Sequence, residues 1–193
     1  CGMENKKNRC SWCEGDKLYE KYHDKEWGIP LYDDFKLFEF LTLETFQAGL
    51  SWITVLHKRE YFRKAFDRFD YEKVAGFGEE KIDALLNNEG IIRNRQKIKS
   101  AINNAQRFIS IRQKYGSFSQ YIWDFVGGKP LQNSFEKLEE IPSKTKLSDK
   151  ISKDLKLKGF QFVGPTVVYA HMQASGMVND HLVGCFRYQE LSQ

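Results

Sequence analysis

Two short segments near opposite ends of the chain carry soft metal-ligand side chains. Cys10-Ser11-Trp12-Cys13 with His23 supplies one set, and His181-Leu182-Val183-Gly184-Cys185 supplies the other. Thiolate and imidazole suit zinc, and four such ligands close a tetrahedral site. Residues i and i+4 of a helical turn lie one above the other, so His181 and Cys185 read as a pair aimed at one ion. A bound zinc would tie the N-terminal segment to the C-terminal one. Other uses of the four cysteines fit less well. Disulfides need a secreted context, and a redox Cys-x-x-Cys opens a helix after a strand, whereas the stretch around Cys10 is polar, charged and strand-poor.

A second kind of chemistry rests on Glu44. Leu37, Leu41 and Glu44 follow i, i+4, i+7, the spacing of a helix face that turns inward. Burying a carboxylate alone costs several kcal/mol or raises its pKa, so a glutamate on such a face implies a compensating ligand or partner. Tyr19, Tyr22, Trp27 and Trp52 are the aromatic residues placed to surround it; Tyr22 adjoins His23, and Trp52 ends the turn Gly49-Leu50-Ser51-Trp52. Aromatic walls around one acid make a slot for a flat heterocycle, held by stacking and by N–H groups donating to the carboxylate.

The elements that must position these residues read as helices. Strand-length alternation is nearly absent and helical periodicity recurs along the chain, which predicts an all-α fold. Asp33-Asp34 caps a helix ending near Gly49; shorter helices follow over 70–74 and 79–86. The run from Arg95 to Tyr115 is amphipathic and closes at Gly116, and Phe118 to Val126 forms a further helix. Residues 130–146 read as a long irregular connection. Ser148 then caps a helix over 150–157, and Gly164-Pro165 opens another over 166–175 that stops at Gly176. This pair is a helix-hairpin-helix turning through Gly159-Phe160-Gln161-Phe162-Val163-Gly164, with free N–H groups at the second helix start suited to a phosphate oxygen.

With 193 residues, 41% hydrophobic and 29% charged, the chain has the composition of a globular protein able to bury a core. A formal net charge of +4 and an aromatic content of 15% are compatible with nucleic acid. No apolar run reaches the ~20 residues of a membrane span and no charged-then-apolar leader opens the sequence, so a cytoplasmic protein without membrane contact is expected. Residues 1–8 read as a flexible N-terminus or cloning remnant, 9–187 as one catalytic domain of two closely packed helical lobes, and 188–193 as a tail.

Seven separated motifs, in order, resemble 3-methyladenine DNA glycosylase I. They are Arg9-Cys10; Tyr22-His23-Asp24 with Glu26-Trp27-Gly28; Leu43-Glu44; Gln47-Ala48-Gly49-Leu50-Ser51-Trp52-Ile53-Thr54; Gly90-Ile91-Ile92-Arg93; Gly159-Phe160 through Val163-Gly164; and Val178-Asn179-Asp180-His181 followed by Cys185. The resemblance spans Arg9 to Cys185. It implies a bacterial base-excision repair enzyme of the helix-hairpin-helix glycosylase superfamily, acting as a monomer on double-stranded alkylated DNA and releasing 3-methyladenine. It places one structural zinc on Cys10, His23, His181 and Cys185, leaving Cys13 as a spare thiol. It makes Glu44 the acid of the base pocket, Tyr22 and Trp52 its walls, and Tyr19 and Trp27 their neighbours. Leu50, after Gly49, becomes the wedge that fills the gap left by a flipped nucleotide. Arg93, Gly159, Val163 and Gly164 become backbone contacts to DNA.

The lysine of strand-nicking members is replaced by Pro165-Thr166, which implies a monofunctional enzyme with no Schiff base. Asp180 is either the superfamily's helper aspartate or an orienting partner of His181. His57 and His171, in no ligand-spaced pair, read as surface or packing histidines. Two other readings share these residues: a zinc-stapled DNA-binding module without catalysis, and a zinc hydrolase with Glu44 as base.

Overall fold

The computed structural model describes residues 7–192, and the expectation for residues 1–6 lies outside that range. Ten α-helices follow in order: α1 (Lys17–Lys25), α2 (Asp34–Gln47), α3 (Trp52–Ala65), α4 (Tyr71–Val74), α5 (Glu79–Leu86), α6 (Arg95–Tyr115), α7 (Phe118–Asp124), α8 (Lys146–Leu157), α9 (Pro165–Ala174) and α10 (Phe186–Leu191). Two two-residue strands, β1 (Leu131–Gln132) and β2 (Val178–Asn179), pair in parallel. The fold is mostly helical, and none of the described helices is long and apolar enough to cross a membrane.

The centre of the molecule is α2. Its N-cap is Asp33, whose side chain accepts from the Phe35 amide, and every residue from Leu37 to Phe46 is buried. Over that stretch the helix has no solvent face; α3, α6, α7 and α9 pack around it. A helix apolar on most sides belongs inside a fold rather than on its surface. Two hydrophobic clusters meet here. The larger runs through Phe38, Phe46, Phe62, Phe108 and Tyr169; the smaller gathers Tyr22, Trp27, Phe40, Leu56 and Ala174.

Several elements depart from the sequence reading. α1 and α3 carry so many charged side chains that their buried stripe is short, and the period was not legible. α8 begins at Lys146 because Thr145, not Ser148, is its N-cap; Thr145 and Ser148 exchange side-chain to backbone hydrogen bonds in a reciprocal box. The irregular connection after α7 contains β1, anchored by the Leu131 amide donating to the Met177 carbonyl. The expected tail from residue 188 lies within α10, where the Tyr188 carbonyl accepts from Asn179 and its hydroxyl donates to the Asn133 carbonyl. At the other end Asn8 accepts from the Phe186 amide, so the chain is held there from residue 8.

Candidate active site and metal cluster

Cys10, His23, His181 and Cys185 converge, all four buried, with one ligand atom from each lying within 4.8 Å of the others. Cys10 precedes a short 3-10 turn, His23 lies in the last turn of α1, and Cys185 caps α10. His181 and Cys185 do not share a helical turn. They are brought together by a tight turn in which the Cys185 amide donates to the Leu182 carbonyl. Cys13 stays outside the group, its thiol donating to the Cys10 carbonyl and burial pushing its pKa up to about 12.

The ligand-atom spacings are 3.1 Å for His181 Nδ1 to His23 Nε2, 3.4 Å and 3.5 Å from Cys185 Sγ to those nitrogens, and 3.7 Å from Cys10 Sγ to His181 Nδ1. A zinc tetrahedron with bonds of about 2.0–2.3 Å has edges of roughly 3.3–3.8 Å. The outer ring nitrogens are engaged as a metal site requires: His23 Nδ1 lies 2.8 Å from Asp24 Oδ1, and His181 Nε2 lies 2.9 Å from the Trp27 carbonyl. Those partners hold the outer N–H groups and leave His23 Nε2 and His181 Nδ1 as lone-pair donors. Asp24 is gripped in turn by Arg9 at 2.8–3.0 Å. Gly28, at φ +83°, lets the backbone pass where a Cβ would sit 2.9 Å from the His181 ring.

Beside this cluster opens a cavity of about 350 Å³, lined by Trp12, Tyr19, Tyr22, Trp27 and Trp52, with Glu44, Gln47 and Gln173 as its polar groups. Its walls are continuous with the ligands: Trp12 lies edge-on to His23 at 5.2 Å between centroids, and Trp27 to His181 at 4.7 Å. Tyr22 and Trp52 stand 5.6 Å apart. The Trp52 indole N–H is buried without a partner.

Glu44 is 5% exposed and accepts no hydrogen bond from any described residue; burial alone pushes its carboxyl up to about 8. The contrast with Glu39, one turn earlier, is direct. Glu39 is equally buried, but the Arg63 guanidinium meets both its oxygens, at 2.8 and 3.1 Å. One buried acid of α2 is neutralised by the fold, and the other is left for something that enters the cavity. Tyr19 and Tyr22 are raised by their own burial first, Tyr22 next by Glu44 and Tyr19 next by Cys13 and then Glu44, so both stay neutral phenols.

The turn after α2 carries Gly49 at φ +81° and Leu50, 41% exposed. It is held from inside by Lys97, whose ammonium donates to the Phe46 and Ala48 carbonyls at 3.4 and 3.2 Å. Lys97 is therefore buried, with its ammonium turned inward. Arg95 pairs with Asp83 and Glu79, and Arg93 is exposed. The hairpin between α8 and α9 is pinned to α6. The Gln161 backbone exchanges two hydrogen bonds with the Asn104 amide, Asn103 donates to the Gly159 carbonyl, and Ser152 donates to that of Val163. Gly164 is the N-cap of α9, with Pro165 in its first turn.

Asp180 is fully buried and accepts from Asn133, Gln173 and the Tyr169 hydroxyl; it neither lines the cavity nor touches the His181 ring. His171 is buried with Nε2 3.0 Å from the Leu37 carbonyl, and burial lowers it to about 4; His57 is exposed beside Asp16. Trp12, Gln47 and Gln173 were missed as cavity residues. For Gln173 the signal was present, since Ala170 and Gln173 sit at i, i+3 on α9 and share a face.

These features define a helical protein that opens an aromatic slot, with one unneutralised acid inside it, against a closed Cys/His cluster. The chain belongs to the methyladenine glycosylase family, whose model matches residues 12–188. It is 49% identical over 180 residues to the DNA-3-methyladenine glycosylase 1 of Escherichia coli (strain K12), covering 93% of this chain and 96% of that one. A solved 3-methyladenine DNA glycosylase I superposes with a TM-score of 0.90 at 49% identity, covering 93% of this chain and 98% of the other. A variant of 3-methyladenine DNA glycosylase I, solved in complex with 3-methyladenine, superposes with a TM-score of 0.90 at 40% identity, covering 93% and 96%.

Proposed function

We propose that the chain removes 3-methyladenine from alkylated double-stranded DNA by hydrolysing the N-glycosidic bond, leaving an abasic site and no strand nick. The observation that carries this reading is Glu44, a buried carboxyl without a protein partner inside an aromatic slot. A 3-methylated adenine in DNA is a cation and already a good leaving group. The enzyme therefore has little acid catalysis to supply; selective binding of the cation does much of the work. On entry of the cation Glu44 gives up its proton to water and pairs with the base by charge and by hydrogen bonds from its exocyclic amino group. Neutral adenine offers no such compensation for ionising a buried acid, so it is rejected. Tyr22 and Trp52 stack on the ring, with Tyr19 and Trp27 closing the slot. The reaction breaks the bond between sugar C1′ and the base nitrogen, and water supplies the hydroxyl at C1′.

Around this chemistry, Gly49 and Leu50 form the wedge that replaces the flipped nucleotide. Gly159, Val163 and Gly164 set the hairpin and the start of α9 against a phosphate, and Arg93 adds an exposed cation. The α8–α9 unit is read as the helix-hairpin-helix of the glycosylase superfamily. Pro165 and Thr166 follow the hairpin where a nicking enzyme would need an amine. The Cys10, His23, His181 and Cys185 set fits zinc in spacing, donor type and outer partners. Four protein ligands leave no open position, so the ion would supply structure and not a reactive water.

The test is release of free base from freshly methylated duplex DNA, followed by chromatography. 3-Methyladenine is expected as product, with the strand intact until alkali cleaves the abasic site. No released base would overturn the reading in favour of a DNA-binding module.

A further inference from the structure

Of the polar groups in the cavity, Glu44, Gln47 and Gln173, the last carries an amide that is not free to choose its orientation. Its Nε2 donates to Asp180 Oδ2 at 3.0 Å. Asp180 is fully buried and also receives the Asn133 amide at 2.7 Å and the Tyr169 hydroxyl. A carboxylate that collects three donors can only accept. Turning the Gln173 amide over would place its oxygen against that carboxylate, an unpaired acceptor–acceptor contact inside the protein. Gln173 is half-buried, lines the cavity with Glu44, and makes no other side-chain hydrogen bond among the described residues.

We propose that Gln173 reads the base through its Oε1 and that Asp180 is the positioning residue that fixes this choice. Besides the Gln47 amide, whose Nε2 donates to the Leu50 carbonyl, the cavity then offers two acceptors, the Glu44 carboxylate and the Gln173 amide oxygen. Purines with an exocyclic amino group at ring position 6 bring N–H donors to that edge. Purines with a 6-oxo group bring an acceptor instead and leave a buried polar group unpaired, which is the strongest form of rejection open to a binding site. Gln173 with Asp180 is thereby a determinant of amino-purine over oxo-purine selectivity. This rests on the base-excision reading above and adds to it the edge of the base that is read.

The experiment measures binding of free 3-methyladenine and free 3-methylguanine by calorimetry, with thermal midpoints recorded for each protein. Gln173→Leu is expected to weaken 3-methyladenine about tenfold, the value of one hydrogen bond, and to lower the midpoint by a few degrees because buried Asp180 loses one of its three donors. Asp180→Asn can donate to Oε1 and frees the amide to turn, so the preference for 3-methyladenine over 3-methylguanine is expected to fall. In the Gln173→Leu background the same Asp180 substitution is expected to change neither base's affinity further, since it acts through the amide. Unchanged 3-methyladenine affinity in Gln173→Leu overturns the proposal, as does an equal loss from Asp180→Asn with and without Gln173. If Asp180→Asn does not fold, Gln173→Leu decides alone through its effect on the ratio of the two affinities. A parent chain that releases no 3-methyladenine from methylated DNA rejects the excision reading instead, which keeps the two failures apart.

Discussion

Two glutamates of one helix show how the same residue type becomes structure or function. Glu39 is buried and held by Arg63; Glu44 is buried and held by nothing. The unpartnered acid carries a stability cost with a definite sign. Folding raises the Glu44 carboxyl from 4.5 to about 8. Between those values the folded chain keeps a proton that the unfolded chain has lost, so stability falls as pH rises, by up to about 1.4 kcal/mol per unit. Glu44→Gln removes that slope. Its thermal midpoint is expected to match the parent chain near pH 5 and to exceed it by a growing margin toward about pH 8.5. Binding of free 3-methyladenine and excision are expected to fall together in the variant. A midpoint difference that is the same at both pH values would show that Glu44 is not the proton carrier, and undiminished excision would remove it from the site.

At the scale of elements, α6 sets the distance between the parts proposed to grip DNA. Lys97, Ser100 and Asn104 lie on one face of it at i, i+3, i+7 spacing. Lys97 holds the end of α2 and the turn carrying Leu50, while Ser100 and Asn104 hold Gln161 in the hairpin. Lys97 satisfies carbonyls at the C-terminus of α2, where a cation also meets the negative end of the helix dipole. Lys97→Met is expected to cost about 1–2 kcal/mol, a midpoint drop of a few degrees. Affinity for a duplex containing an abasic site is expected to drop further than a Leu50-independent loss of stability explains, so Lys97→Met and Leu50→Ala should not be additive in DNA binding. Additive losses would separate Lys97 from the wedge. This arrangement also marks what was legible in the sequence. Asp33, Asp70 and Gly116 announced helix ends through local capping chemistry, and α6 through its long stripe. Lys97 looked like one charge in a solvated run, because burial of a lysine depends on carbonyls that arrive from 49–51 residues away. Glu44 was found by its spacing on α2, yet the contrast with Arg63-bound Glu39 needed the packing of α3. Residue types alone left Cys10 and Cys13 as alternatives and the resemblance chose Cys10; of the two sulfurs, only that of Cys10 faces His181.

At the scale of the molecule, the cluster joins segments 171 residues apart in sequence, from Cys10 to His181, and the slot is built on the join. Trp12 leans on His23, Trp27 leans on His181 and lends it a carbonyl, and Tyr22 precedes His23 on α1. Without an ion, two thiols and two imidazoles are packed together at 3.1–3.7 Å in a buried site. There the hydrogen bond between the two sulfurs pulls the Cys185 thiol down and pushes the Cys10 thiol up. The zinc proposed above would replace that arrangement with four favourable bonds, which would make metal binding and folding of the two ends one event. Cys10→Ser is expected to lower metal content below one zinc per chain and the thermal midpoint by on the order of 10 °C. Cys13→Ser exchanges a buried thiol that touches only a carbonyl and is expected to shift the midpoint by no more than about 4 °C with full metal content. Chelation of the parent chain is expected to lose near-ultraviolet ellipticity from the tryptophans and free-base binding in parallel, because the slot walls and the ligands are the same segments. Loss of binding well before the aromatic signal would mean that the ion acts on the base itself. Retention of both after the metal is gone would mean that packing alone holds the ends together.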